Sequence, residues 1–215
     1  MTDASDRGWG NGWPTDRRSD MVDLTVEGVS FPGGVHRTVM PLMRELLEVS
    51  IDAEWVELTD GWCWGYANRP IKLPGGGFST TPSNHSWGLA IDVNAPANPF
   101  GGTSHQIPLV MGNLWESYGF RWGGFYSSTK DWMHFEFMGT PAQVASYLGQ
   151  LQSREDDVNL ETYQKGWDSF VVEFKAEGKD KPANSDPGPP REDKPAWFRN
   201  GWNAARFAAR FPKAS

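Results

Sequence analysis

A chain of 215 residues with a formal net charge of -7 is long enough for one domain with a real core plus appendages. Its acidic balance argues against general nucleic-acid binding, and its one cysteine, Cys63, excludes an internal disulfide and a cysteine-type structural zinc site. No run approaches the ~20 apolar residues of a membrane helix, and residues 1–18 carry no apolar signal-peptide core.

Residues 1–21 read as an irregular arm whose Trp9 and Trp13 pack onto the domain that follows. Residues 22–29 read as a short strand. In 35–50, Val39, Leu42, Met43, Leu46 and Leu47 recur at helical spacing and predict a helix. A strand is expected over 54–58. Cys63 sits in Trp62-Cys63-Trp64, an apolar setting that predicts a buried, unreactive thiol. Residues 74–82, rich in Gly and Thr, read as a loop ahead of His85. In 88–94, Leu89, Ile91 and Val93 alternate with Ala90, Asp92 and Asn94, the pattern of a half-buried strand. Asp92 then shares a face with Ala90 and Asn94, and Gly88 gives a tight backbone path into the strand.

Residues 96–103 read as a loop, 106–118 as a helix ending near Gly119, and 123–130 as a flexible approach to Asp131. In 132–137 alternation puts His134 and Glu136 on one face and Met133, Phe135 and Phe137 on the other. A helix is expected over 141–151 with Thr140 as its N-cap, and one or two more over 154–175. Strands interspersed with helices give an α+β domain over 22–177, with a mainly antiparallel sheet. Residues 178–194 are Pro-rich and charged and read as a linker. Residues 195–215 carry five aromatic residues, four basic ones and no acidic one. This tail reads either as a contact for an anionic surface, wall polymer or membrane, or as a short helix folded back onto the domain.

The chemistry concentrates in 83–94 and 131–137, which hold His85, Asp92, Asp131 and His134. Two neutral imidazoles and one carboxylate leave a tetrahedral zinc one open position, the requirement of a catalytic zinc site. The second carboxylate is then free to act as a base. A regular strand running back to Asp131 would turn that residue away from His134, so Asp131 must sit in the entering turn or on a distorted strand start. Glu136, on the face of His134, competes with Asp92 as third ligand. His36 and His105 read as ordinary surface or loop histidines.

Ser83-Asn84-His85, followed by Gly88, Ala90 and Asp92, resembles the S-x-H-x-x-G-x-A-x-D signature of the M15 peptidases. These are zinc D-alanyl-D-alanine carboxypeptidases and L-alanyl-D-glutamate endopeptidases, many phage endolysins among them. Asp131-Trp132-Met133-His134 resembles the family's second signature, an acidic residue three before the last zinc ligand. The resemblance covers roughly residues 26–151. It implies one catalytic zinc on His85, Asp92 and His134, with Asp131 as the catalytic base and a peptidoglycan stem peptide as substrate. The fold it implies is the one shared with hedgehog signalling domains. Residues 65–70 resemble the segment carrying the family's substrate-binding arginine, which implies that role for Arg69. Ser83 resembles a serine that helps hold substrate. The plainer readings are a surface arginine beside a proline turn and a serine bonding its own backbone.

Endopeptidase activity is the favoured expectation, because only internal cleavage of the stem peptide lyses a wall. The alternative within the family is D-Ala-D-Ala carboxypeptidase activity. An alternative of another class is a non-catalytic, zinc-containing wall-binding module on the same fold, which would have no use for Asp131. The absent signal sequence leads to the expectation of a monomeric phage lysis enzyme, made in the host cytoplasm and acting on the wall after release.

Overall fold

Short ladders rather than long strands build the first part of the fold. The computed structural model describes residues 3–156; the expected helices past that point, the linker over 178–194 and the tail over 195–215 lie outside the described residues. Strand β1 is Met21–Val22, β2 Thr25–Val26, β3 Val29–Ser30 and β4 Val35–His36. β1 pairs with β4 and β2 with β3, both antiparallel. The single strand expected over 22–29 is therefore folded back on itself. Glu27 and Gly28 both take positive φ (50° and 79°), as a two-residue hairpin turn requires.

Helix α1 is Met40–Asp52. It starts later than the expected residue 35 because Val35 and His36 are taken by β4. The stripe read from the sequence holds: Val39, Leu42, Met43, Leu46 and Leu47 are all fully buried. Residues 54–58 form no strand. Their backbone is held instead by the Asn94 side chain, whose Nδ2 donates to Glu57 O at 2.7 Å and whose Oδ1 accepts from Thr59 N at 2.9 Å.

Strand β5, Pro70–Lys72, pairs with β6, Phe78–Pro82, across Gly75-Gly76-Gly77. The expected loop over 74–82 is thus partly a strand of a hairpin, with Ile71, Leu73 and Phe78 exposed. Strand β7 is Ala90–Asp92, helix α2 Leu109–Ser117, β8 Phe120–Trp122, β9 His134–Phe137, and helix α3 Pro141–Asp156. α2 begins after Pro108, not at 106, because a residue before proline is kept out of the helical region. At the start of α3, Thr140 N donates to Gln143 Oε1 at 2.8 Å, the returning half of a capping box, and Pro141 takes the first helical position.

The order β7-β9-β8 forms an antiparallel three-stranded sheet that sorts its residues by face. Ile91, Phe135 and Trp122 stand opposite one another in the register, as do Ala90, Glu136 and Arg121. The aromatic face is fully buried and meets Trp115 of α2, whose ring lies 4.6 Å from Phe135 and 4.8 Å from Phe120. Burying each such side chain contributes about 1.5–3 kcal/mol. The opposite face carries Asp92, His134, Glu136 and Arg121. A one-residue slip would exchange the faces, so the aromatic core sets which way the polar residues point.

Residues 3–20 are not a loose appendage. They belong to the compact unit that runs to Leu151. Trp9 is buried edge-on against His36 (4.9 Å) and Phe137 (6.1 Å), and its Nε1 donates to Gly139 O at 2.9 Å. Trp13 is half-buried. His36 is consequently a packing residue of β4, half-buried, and its imidazole is pushed toward the neutral form by burial. His105 lies in a loop, stacked on Trp132 at 3.8 Å. The fold is α+β, and no helix among the described residues is long and apolar enough to cross a membrane.

Candidate metal centre

His85 reaches the polar face of the sheet from a 3-10 turn, Asn84–Trp87. Ser83 caps that turn, its Oγ accepting from His85 N at 3.4 Å, and Ser86 Oγ donates to Ser83 O at 2.7 Å. Gly88 closes it with φ +66°, and a Cβ there would stand 2.3 Å from Met21 Sδ and 2.6 Å from His36 N. Only glycine fits both the backbone and the space. The chain then enters β7, where Asp92 is paired directly with His134 of β9. Directly paired residues share a face, so the sheet itself brings these two side chains together.

Three atoms converge. His85 Nε2 lies 3.2 Å from Asp92 Oδ1, His134 Nδ1 lies 3.0 Å from the same oxygen, and the two nitrogens are 3.1 Å apart. The edges of a tetrahedron around a first-row ion with bonds of about 2.0–2.1 Å are about 3.3 Å. The triangle is close to that size, and its N, N, O donor set suits such an ion better than calcium or magnesium, which take oxygen ligands. His85, Asp92 and His134 are the group among the described residues that can hold a metal. Each imidazole has its second nitrogen near an acceptor: His85 Nδ1 is 2.6 Å from Gly65 O, and His134 Nε2 is 3.5 Å from Glu136 Oε2. Such partners orient metal-binding histidines.

The charges follow from burial and neighbours. Burial opposes ionisation of Asp92, but the two imidazoles facing it hold its carboxyl far below the ordinary range. Burial disfavours the His134 cation, yet its bonds to Asp92 and Glu136 outweigh that and raise it well above its usual value. Asp131 is pushed up, first by burial and then by the nearby Asp92 and Glu136 charges, against the opposing effect of His134.

Asp131 sits ahead of the regular strand, as the sequence required: it makes a lone antiparallel bridge to Phe100 and opens the turn into β9. His134 N donates to Asp131 O at 3.1 Å, and β9 begins only at His134. Its Oδ1 is buried and has no partner among the described residues, an arrangement that fits a group waiting for water or substrate. Gly123 makes the room: a Cβ there would lie 2.3 Å from Asp131 O and 2.8 Å from Asp131 Cβ. The segment expected as a flexible approach begins as a packed turn, with Gly123 and Gly124 buried, while Phe125, Ser127 and Ser128 are exposed. Gly123→Ala is expected to keep bound metal and lower kcat by about 10²-fold, the cost of displacing a reacting group by ~1 Å. Metal content beside kcat checks it.

Glu136 stands outside the triangle. It faces the other ring nitrogen of His134, and its oxygens are occupied by Arg121 Nε (2.7 Å), Asn84 Nδ2 (2.5 Å), Arg121 Nη2 and the Tyr126 hydroxyl. Burial opposes its charge, but His134, Arg121 and Tyr126 hold it below the usual range. Asn94, expected on the face of Asp92, leaves the strand with φ 47° and turns to Glu57 and Thr59. Asn is among the few residues that take this conformation readily. Arg69 Nη1 bonds Pro70 O at 3.1 Å, and Ser83 N donates to Arg69 O at 3.2 Å. Arg69 is thereby tied by its backbone to the capping serine, while its guanidinium bonds no member of the cluster. Cys63 is buried, and burial raises its thiol.

Trp64 is bridged to Asp92, a position that escaped the sequence reading. It exchanges both backbone bonds with Asp92 (3.0 and 2.9 Å), so the pair shares a face, and the Trp64 side chain is 41% exposed. The buried Cys63 between exposed Trp62 and Trp64 is the alternation that would have revealed it.

A family model described as D-alanyl-D-alanine carboxypeptidase matches residues 77–137, a minority of the chain that contains His85, Asp92, Asp131 and His134. The match supports, at family level, an M15-type metallopeptidase concerned with peptidoglycan. No curated protein and no solved structure matches the chain.

Proposed function

We propose that this protein is a zinc-dependent peptidase that cuts the stem peptide of peptidoglycan between L-Ala and D-Glu, in the role of a phage lysis enzyme. The observation that carries the reading is the His85, Asp92, His134 triangle with the unpartnered Asp131 oxygen in the turn beside it. Zinc held by His85, Asp92 and His134 would make hydroxide available near neutral pH and polarise the scissile carbonyl.

The chain's own residues do the rest. Asp131 takes a proton from the attacking water and returns it to the amine that leaves as the C–N bond breaks. A carboxyl raised by burial is suited to both halves of that transfer. Glu136 and the Gly65 carbonyl hold the imidazoles. Arg69 takes the free α-carboxylate of D-Glu, with Ser83 beside it. Trp64 forms an apolar wall of the cleft. Trp64→Ala is expected to raise KM by about three- to tenfold with kcat little changed, as loss of roughly half the ~1.5–3 kcal/mol of a buried side chain would give.

The second reading is removal of the terminal D-Ala, which the description of the matched family favours. In it Arg69 holds the D-Ala carboxylate. Mass spectrometry of fragments released from purified peptidoglycan separates the two. New N-terminal D-Glu supports the endopeptidase. Free D-alanine overturns it in favour of the carboxypeptidase.

A further inference from the structure

The two histidines come from different parts of the fold, His85 from a turn and His134 from β9. Backbone bonds supply part of their register: Asp92 pairs with His134, and Phe137 N donates to Leu89 O at 2.8 Å just past the turn. Arg7, from the N-terminal arm, touches both parts. Its Nη1 donates to Phe137 O at 2.8 Å and to Gly139 O at 3.3 Å, at the end of β9. Its Nη2 donates to Asn84 Oδ1 at 3.1 Å, the residue preceding His85. Asn84 in turn donates through Nδ2 to Glu136 Oε2 at 2.5 Å, and the same oxygen lies 3.5 Å from His134 Nε2. Asn84 is thus fixed in orientation: its oxygen is taken by a cation and its amide by a carboxylate. The far oxygen of Glu136 is held by Arg121 and Tyr126.

We propose that Arg7, Asn84 and Glu136 form one positioning relay, which makes the N-terminal arm a working part of the metal centre. With a metal on Nδ1, Glu136 would keep the remaining His134 proton on Nε2 and so hold Nδ1 toward His85 Nε2 and Asp92 Oδ1. Arg7 staples the His85 turn to the end of β9 and aims Asn84 at Glu136. Arg7 lies outside the segment that matches the family model. None of the three touches the reacting atoms. They are positioning residues, and they act through the affinity and geometry of the site.

The inference rests on the metal reading, and the test keeps the two apart. Zinc affinity of the full chain is measured by competition with a chromophoric chelator, and the absorption spectrum of the cobalt-loaded protein reports ligand geometry. Glu136→Gln is expected to weaken zinc by about 10–100-fold, the usual effect of losing a partner of a metal-bound histidine, and to change the cobalt bands. Arg7→Met is expected to weaken it in the same direction by less. The loss in the double variant should fall short of the sum of the two single losses, since Arg7 acts in part through Glu136. Arg17→Met, which removes an ion pair to Asp20 on the same arm, should leave both readouts unchanged.

If Glu136→Gln fails to fold, Arg7→Met against Arg17→Met decides the matter by itself. Unchanged affinity in Arg7→Met, additive losses in the double variant, or an equal loss in Arg17→Met would overturn the relay. Wild-type protein that binds neither zinc nor cobalt would overturn the metal reading instead.

Discussion

Asp131→Asn is expected to retain zinc and the fold while losing turnover by ~10²–10⁴-fold, the range for a general acid–base group. The substitution is nearly isosteric, so the turn that Asp131 closes onto His134 N and Gly123 O is preserved. What it removes is the ability to accept a proton. The amide cannot take one from water near neutral pH, and no other carboxylate stands ready to replace it. Asp92 is engaged by two imidazoles, and Glu136 by Arg121, Tyr126 and Asn84. The check is kcat beside metal content and a thermal melt. A variant with full zinc and near-normal kcat would place the base elsewhere.

Asp92→Ala has the second large effect. It removes the oxygen that both imidazoles face and leaves two ring nitrogens 3.1 Å apart with no anion between them. Zinc binding and activity should be lost together. Stability gives an independent readout. A cation present at about 1,000 times its Kd stabilises the folded state by about 4 kcal/mol, and in a domain of this size each kcal/mol moves Tm by roughly 2–4 °C. Wild type should therefore melt roughly 8–16 °C higher with zinc than with chelator, and Asp92→Ala should melt at the same temperature in both. A zinc-dependent shift that survives in Asp92→Ala would contradict the ligand assignment.

What was legible in the sequence was whatever depended on period and local spacing. The buried stripe of α1 and the alternation of Ile91 and Phe135 against Asp92 and His134 follow from residues close in the chain. The requirement that Asp131 leave the strand before His134 was also a local argument, and the turn at Trp132 and Met133 meets it. What was not legible depended on partners far along the chain. The strand expected over 22–29 became a hairpin because Glu27 and Gly28 both adopt positive φ, which composition does not announce. The strand expected over 54–58 lost its ladder to one side chain, Asn94, about forty residues away. Glu136 looked like a possible ligand because only its face was known; Arg121, Tyr126 and Asn84, which occupy it, come from three other segments. The packing of Trp9 onto the domain was expected, but Arg7 gains meaning only against Phe137, Gly139 and Asn84.

Release of new amino groups from purified peptidoglycan, followed as chelator-stripped protein is titrated with zinc, tests the central claim most directly. The prediction is no release from the stripped protein and recovery that is complete at one equivalent of zinc per chain. Zinc that binds at one equivalent without any amine release would contradict catalysis and leave a wall-binding module in its place.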